Sequence, residues 1–175
     1  MKIISTKFNT MPFEINQPTQ GSPVPVSAQA SISQQPTFTE KDPLTYIVED
    51  DRANNFLCKM TLEEVGITNV SSFLRADLAL NDLKELLERG EVFPSLILLD
   101  INMPAMDGWG FLNEFRNFPS VAKAKTTVYL FSSSDHPRDK EKAQGYPEVL
   151  DFLAKPLSED VANSLKEKYF RLSNL

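Results

Sequence analysis

Ser95-Leu96-Ile97-Leu98-Leu99-Asp100, followed by Ile101-Asn102-Met103-Pro104-Ala105-Met106-Asp107-Gly108, is the stretch that decides the fold. After Pro94 the run is continuously apolar and shows no alternation with polar residues. That is the mark of a strand buried on both faces, as in a parallel sheet covered by helices on each side. The run stops at one carboxylate, Asp100, and a loop with proline and glycine takes over.

The flanking sequence repeats the pattern. Upstream, Leu44-Thr45-Tyr46-Ile47-Val48 is a short β-branched run ending in acids and predicts a first strand. Residues 53–65 carry Leu57, Cys58, Thr61, Leu62 and Val65 at helical spacing, stopped by Gly66. Asn69 to Phe73 predicts a weak second strand. Residues 76–89 place Ala79, Leu80, Leu83, Leu86 and Leu87 on one helical face, ended by Gly90. Downstream, Trp109 to Asn117 predicts a short helix with Phe111, Leu112 and Phe115 inward, and Thr126 to Phe131 a fourth strand. Pro137 to Gln144 is a polar helix with only Ala143 clearly apolar; its few buried contacts fit an element that shifts. Val149 to Ala154 is a fifth strand. Ser158-Glu159-Asp160 opens a last helix reaching Leu172, with Val161, Leu165, Tyr169 and Leu172 inward. Five strand–helix alternations predict an α/β protein with a doubly wound, five-stranded parallel sheet of order 2-1-3-4-5, the flavodoxin-like arrangement.

Composition sets the outer limits. The chain has 175 residues, 18 basic and 24 acidic, for a net charge of −6. That balance argues against holding nucleic acid or an anionic membrane by bulk charge. A lone cysteine, Cys58, and a lone histidine, His136, exclude a disulfide framework and a Cys/His zinc site. No apolar run approaches a membrane span, and no signal-peptide core follows Met1. A soluble protein of a reducing compartment, the cytoplasm, is expected. Residues 1–43 hold six of the twelve prolines, and their three lysines cancel Glu14, Glu40 and Asp42. They read as a disordered low-complexity arm, with Phe8, Phe13 and Phe38 as conceivable anchors, before a domain over 44–175.

In a doubly wound sheet, ligands bind beyond the carboxyl ends of the strands. There the sequence places Glu49-Asp50-Asp51 after strand one, Asp100 at strand three, Ser132-Ser133-Ser134 after strand four and Lys155-Pro156 after strand five. Clustered carboxylates repel unless a cation joins them, and oxygen ligands with room for waters suit Mg²⁺. A carboxylate beside Mg²⁺, an ammonium and a hydroxyl is an arrangement for accepting a phosphoryl group.

Val48-Glu49-Asp50-Asp51, the Leu98-to-Gly108 string, Ser132-Ser133 and Lys155-Pro156 together resemble the receiver domain of two-component response regulators (CheY-like), over about residues 44–173. The resemblance implies Asp100 as phosphoacceptor, with Glu49 and Asp50 as the acidic pair and the Asn102 carbonyl as a further Mg²⁺ ligand. It implies Ser132 as the conformational hydroxyl, Lys155 as the phosphate-binding lysine, Phe152 as an aromatic that changes rotamer, and a cis bond before Pro156. Serine replaces the commoner threonine at 132 and phenylalanine the frequent tyrosine at 152; Asn102 and Ser134 occupy positions that influence acyl-phosphate lifetime. The partners implied are a histidine kinase or histidine phosphotransfer protein, and a downstream protein at the face of the fourth helix, fifth strand and fifth helix. With Leu175 directly after that helix, the expectation is a stand-alone receiver without an output domain, which is not a turnover enzyme. A partner-binding pseudo-receiver, an aspartate-nucleophile phosphatase and a purely structural module are the alternatives; the phosphatase needs an acid where Asn102 stands.

Other residues have plainer readings. Asp51 reads as a helix N-terminal acid and Asp107-Gly108 as a turn. Met103 and Met106 pack under the loop, Trp109 and Phe111 belong to the core, and Cys58 is inert core. His136 reads as a surface loop residue. Gly108-Trp109-Gly110 is no dinucleotide fingerprint, and Asp100-Ile101-Asn102 is no calcium loop.

Overall fold

A computed structural model describes residues 42–133 and 136–170. The expected arm therefore lies outside the described residues except for Asp42 and Pro43, as do Ser134 and Leu172. The elements are β1 (Thr45–Val48), α1 (Arg52–Glu64), β2 (Val70–Phe73), α2 (Ala76–Arg89), β3 (Leu96–Asp100), α3 (Gly108–Phe115), α4 (Ser120–Lys123), β4 (Thr127–Ser132), α5 (Pro137–Ala143), β5 (Val149–Ala154) and α6 (Glu159–Phe170). All neighbouring strands pair in parallel, and the order is β2-β1-β3-β4-β5, as the strand–helix alternation predicts.

Two apolar layers sandwich the sheet. Tyr46, Val48, Ile97, Leu99, Val128 and Leu130 meet α2 and α3 on one side. Ile47, Leu96, Leu98, Tyr129 and Phe131 meet α1 and α6 on the other. Alternate residues of β3 thus serve opposite cores, which is why the strand carries no polar residue before Asp100. Helix α2 ends at Gly90, whose φ of +65° lets the chain turn into the left-handed region without a Cβ penalty. Among the described residues no helix is long and apolar enough to cross a membrane.

The structure departs from the sequence expectations in three places. Leu57 and Leu87 are exposed rather than core residues. The inner face of α1 is instead Asn55, Cys58 and Leu62, so that Leu57 is turned aside; Leu87 sits at the rim of α2, lining a 210 Å³ cavity with Leu80 and Phe118. A one-turn helix, α4, occupies a connection that carries no apolar period, so the expected fourth and fifth helices are α5 and α6. Asp107-Gly108 is a helix start, not a turn: the Asp107 side chain accepts a 2.7 Å bond from Gly110 N–H and caps α3. Helix α5 buries none of its own residues, in keeping with its polar sequence, and side chains tie it to α3. Lys142 Nζ lies 4.4 Å from the Trp109 ring centroid. Just beyond, Tyr146 packs on Trp109 and donates to Asn113 Oδ1 at 3.0 Å, and Arg116 donates to the Gly145 carbonyl.

Candidate functional site

All strands of a parallel sheet deliver their carboxyl ends to one edge. Glu49 and Asp50 follow β1 directly, Asp100 ends β3, Ser132 ends β4, and Lys155 follows β5. Register makes them neighbours, since Val48 pairs with Leu99, Asp100 with Phe131, and Ser132 with Ala154.

Lys155 Nζ lies 2.5 Å from Glu49 Oε2 and 2.9 Å from Asp100 Oδ2, with its side chain only 10% exposed. The Glu49 side chain is almost wholly buried, and Lys155 is the cation that compensates its charge. Glu49, Asp50 and Asp100 each bring an oxygen to within 4.8 Å of the others. Burial raises the Glu49 carboxyl above its ordinary 4.5; the charge of Asp100 pushes the same way and Lys155 opposes. Burial also pulls the Lys155 ammonium down, but the bonds to Glu49 and Asp100 together outweigh it and hold the group above 10.5. One fixed cation therefore bridges two of the three clustered carboxylates.

The Asp100 carboxylate is held at both oxygens. Oδ2 meets Lys155, and Oδ1 accepts a 3.2 Å bond from the Asn102 N–H. The loop behind it is closed by the Gly108 N–H donating to Ile101 O at 2.9 Å, and Ala105 takes a φ of +66°. Met103 is buried beneath this loop, and Met106 packs against the same core, as expected. Glycine at 108 is a matter of space: a Cβ there would lie 2.5 Å from the Asp100 carbonyl oxygen.

The other residues singled out in the sequence fall around this centre. Ser132 is buried, and its carbonyl accepts a 2.9 Å bond from the Lys155 N–H, joining the ends of β4 and β5. Phe152 is half-buried opposite Leu130 and packs toward the α3 side. The Lys155–Pro156 peptide is cis. Asp51 caps α1, its Oδ1 accepting from Ala53 and Asn54 N–H at 2.8 and 2.9 Å, in keeping with its plainer reading. Cys58 lies buried behind the site with its thiol pushed up to about 12, chiefly by burial. His136 is exposed ahead of α5.

Two residues escaped the sequence reading. Gly108 is one, masked by the turn-like appearance of Asp-Gly. Asn55 is the other: it is buried on α1, and its Nδ2 donates to Glu49 O at 3.1 Å. The signal was present, because residues 55, 58 and 62 share a helical face that also holds Cys58 and Leu62.

Known proteins share this sequence and this fold. The family model for the response regulator receiver domain matches residues 45–165. The chain is 31% identical over 130 residues to the probable methanogenesis regulatory protein FilR2 of Methanothrix harundinacea, covering 73% of this chain and 82% of that protein. It is 28% identical over 145 residues to the sensor histidine kinase CheAY of Helicobacter pylori; this covers 78% of the chain but only 16% of that kinase's length. A crystal structure of a two-component response regulator from Cytophaga hutchinsonii is 32% identical and superposes with a TM-score of 0.67, covering 75% of this chain and 98% of that one. Matched by family model, by sequence and by fold, the chain belongs to the receiver domains of two-component response regulators.

Proposed function

We propose that Asp100 accepts a phosphoryl group from a phosphohistidine on a sensor kinase or histidine phosphotransfer protein. The observation that carries this reading is the Lys155 ammonium set between Glu49 and Asp100, beside the third acid, Asp50. An oxygen of Asp100 attacks phosphorus and forms the acyl phosphate; the phosphorus–nitrogen bond breaks, and the ring nitrogen keeps the electron pair and takes a proton. Lys155 holds a phosphoryl oxygen, and the Ser132 hydroxyl takes another. Water later cleaves the oxygen–phosphorus bond and restores the carboxylate. This is assisted self-modification, not substrate turnover.

Three carboxylates against one ammonium fit a hard divalent cation. Glu49, Asp50 and Asp100, with the Asn102 carbonyl, would hold Mg²⁺, which when bound supplies positive charge opposite the phosphoryl oxygens. Output follows as repacking of Ser132 and Phe152, which changes the face formed by α5, β5 and α6 for a downstream protein, or as onward transfer of the phosphoryl group. The setting is cytoplasmic.

Acetyl phosphate and MgCl₂ test the reading directly. Intact-mass spectrometry should show one acid-stable, base-labile phosphoryl adduct that disappears with EDTA and in Asp100→Ala. An adduct formed equally in EDTA, or retained by Asp100→Ala, refutes it. The phosphatase alternative predicts steady release of phosphate from a simple phosphate ester, and a binding-only module predicts no adduct.

A further inference from the structure

We infer that Asn55 is a positioning residue that fixes Asp50 for cation binding; this rests on the function proposed above. Asn55 is 6% exposed and sits in the second turn of α1. A primary amide buried on an otherwise apolar face needs partners, and this one finds them in the carbonyls at the ends of β1 and β2. Its Nδ2 donates to the Glu49 carbonyl at 3.1 Å and to the Phe73 carbonyl at 3.4 Å. Its backbone N–H donates to Asp51 O at 2.9 Å. The side chain thus ties the carbonyl just before Asp50 to the end of β2, while the backbone bond to Asp51 O is the first helical bond of α1, which any residue at 55 would make.

Planarity gives this grip its effect. The peptide between Glu49 and Asp50 is a rigid plate, and holding its oxygen sets the direction in which the Asp50 Cα leaves it. The other end of Glu49 is fixed too, because its N–H donates to Phe73 O at 3.0 Å. Asp50 itself lies outside β1, with no ladder of its own to orient it. Carboxylates that repel one another spread apart unless their backbone is held, so the clamp sustains the 4.8 Å cluster before a cation arrives.

The test adds MgCl₂ stepwise to the full chain and follows backbone amide NMR signals in wild type and in Asn55→Leu, a near-isosteric change that keeps the packing and removes the donors. The expected result is a Mg²⁺ dissociation constant about tenfold higher in the variant, the size typical of losing an outer-shell partner. An unchanged constant in a folded variant overturns the inference, even if stability has dropped, because a merely structural role moves stability alone. Should Asn55→Leu fail to fold, Asn55→Ser carries the same comparison. Wild type supplies an independent arm: the Asn55 Nδ2 protons should exchange with water more slowly than those of exposed Asn163. Equal exchange overturns the inference. A wild-type protein with no response to MgCl₂ instead removes the proposed function itself, and this inference with it.

Discussion

Replacing Gly108 by alanine tests how tightly the phosphoacceptor strand is gripped. The added methyl carbon would stand 2.5 Å from Asp100 O, 3.0 Å from Ile101 Cα and 3.3 Å from the Asp100 carbonyl carbon. Carbon contacts are comfortable near ~3.5–4.0 Å, so the closest approach falls short by about 1 Å. All three atoms are backbone at the end of β3, which pairs with β1 and β4 on its two sides, so no rotamer change relieves the clash. Overpacking of this kind costs about 1–3 kcal/mol, and the better helix propensity of alanine returns at most ~1 kcal/mol. A net loss of about 1–2 kcal/mol follows, or roughly 3–8 °C in Tm for a domain of this size. Gly110→Ala is the internal control. Its methyl meets Met106 Cγ at 3.0 Å, a flexible side-chain atom able to move, and the capping Asp107 Oδ1 at 3.3 Å, close to an ordinary contact, so the cap can stay in place. Urea denaturation in EDTA should place Gly108→Ala below wild type, and Gly110→Ala near or above it, with unchanged m-values. Equal midpoints for the two variants would refute the close-approach reasoning.

The same packing and ion pairs set further outcomes. Lys155→Met leaves Glu49 and Asp100 facing each other without a cation, so stability near pH 7 in EDTA should fall by about 3 kcal/mol. MgCl₂ should restore part of it, and an unchanged urea midpoint contradicts the ion-pair assignment. Tyr46→Phe keeps the ring beside Phe73 but removes the hydroxyl that donates to Asp82, and should lower stability by roughly 1 kcal/mol in the same assay. Cys58 should resist a thiol reagent at pH 8 until the protein unfolds, since burial pushes its thiol up from 9.0 to about 12. The sign of its pH effect is set by that direction. Unfolded chains lose this proton first, so stability falls by about 1.4 kcal/mol per pH unit between 9.0 and about 12. Cys58→Ala should flatten that part of the alkaline limb; identical limbs would show that the thiol plays no part.

Much of this architecture is legible because burial leaves a periodic trace. The β3 run and the apolar faces of α2 and α3 announce two-sided burial, and the acids, hydroxyl and lysine lie at strand ends where topology must gather them. What escapes are contacts that hydrophobic periodicity does not encode, some of them close in sequence and some far apart. Asn55 falls on the face of Cys58 and Leu62, which marks it as buried, but nothing in the pattern names the Phe73 and Glu49 carbonyls as its partners. Gly108 looks like a turn until Asp100 O fills the space of its absent side chain. The tether of α5 depends on Trp109, Asn113 and Arg116, all from α3 or its end, and no local pattern joins them to Tyr146 and Lys142. Strand alternation fails in β5 for a related reason, since its register with β4 slips between Val128 and Tyr129.

That slip has its own corollary. Val128 stands across from Val149 and Tyr129 across from Asp151, so Leu150 is passed over and left half outside the molecule. Counting by twos would assign Val149 and Phe152 to opposite sides of the sheet, yet both pack on the same one. Leu150 is a spare link. Excised, it would let the last strand run in unbroken alternation while Phe152 and Lys155 kept their present addresses.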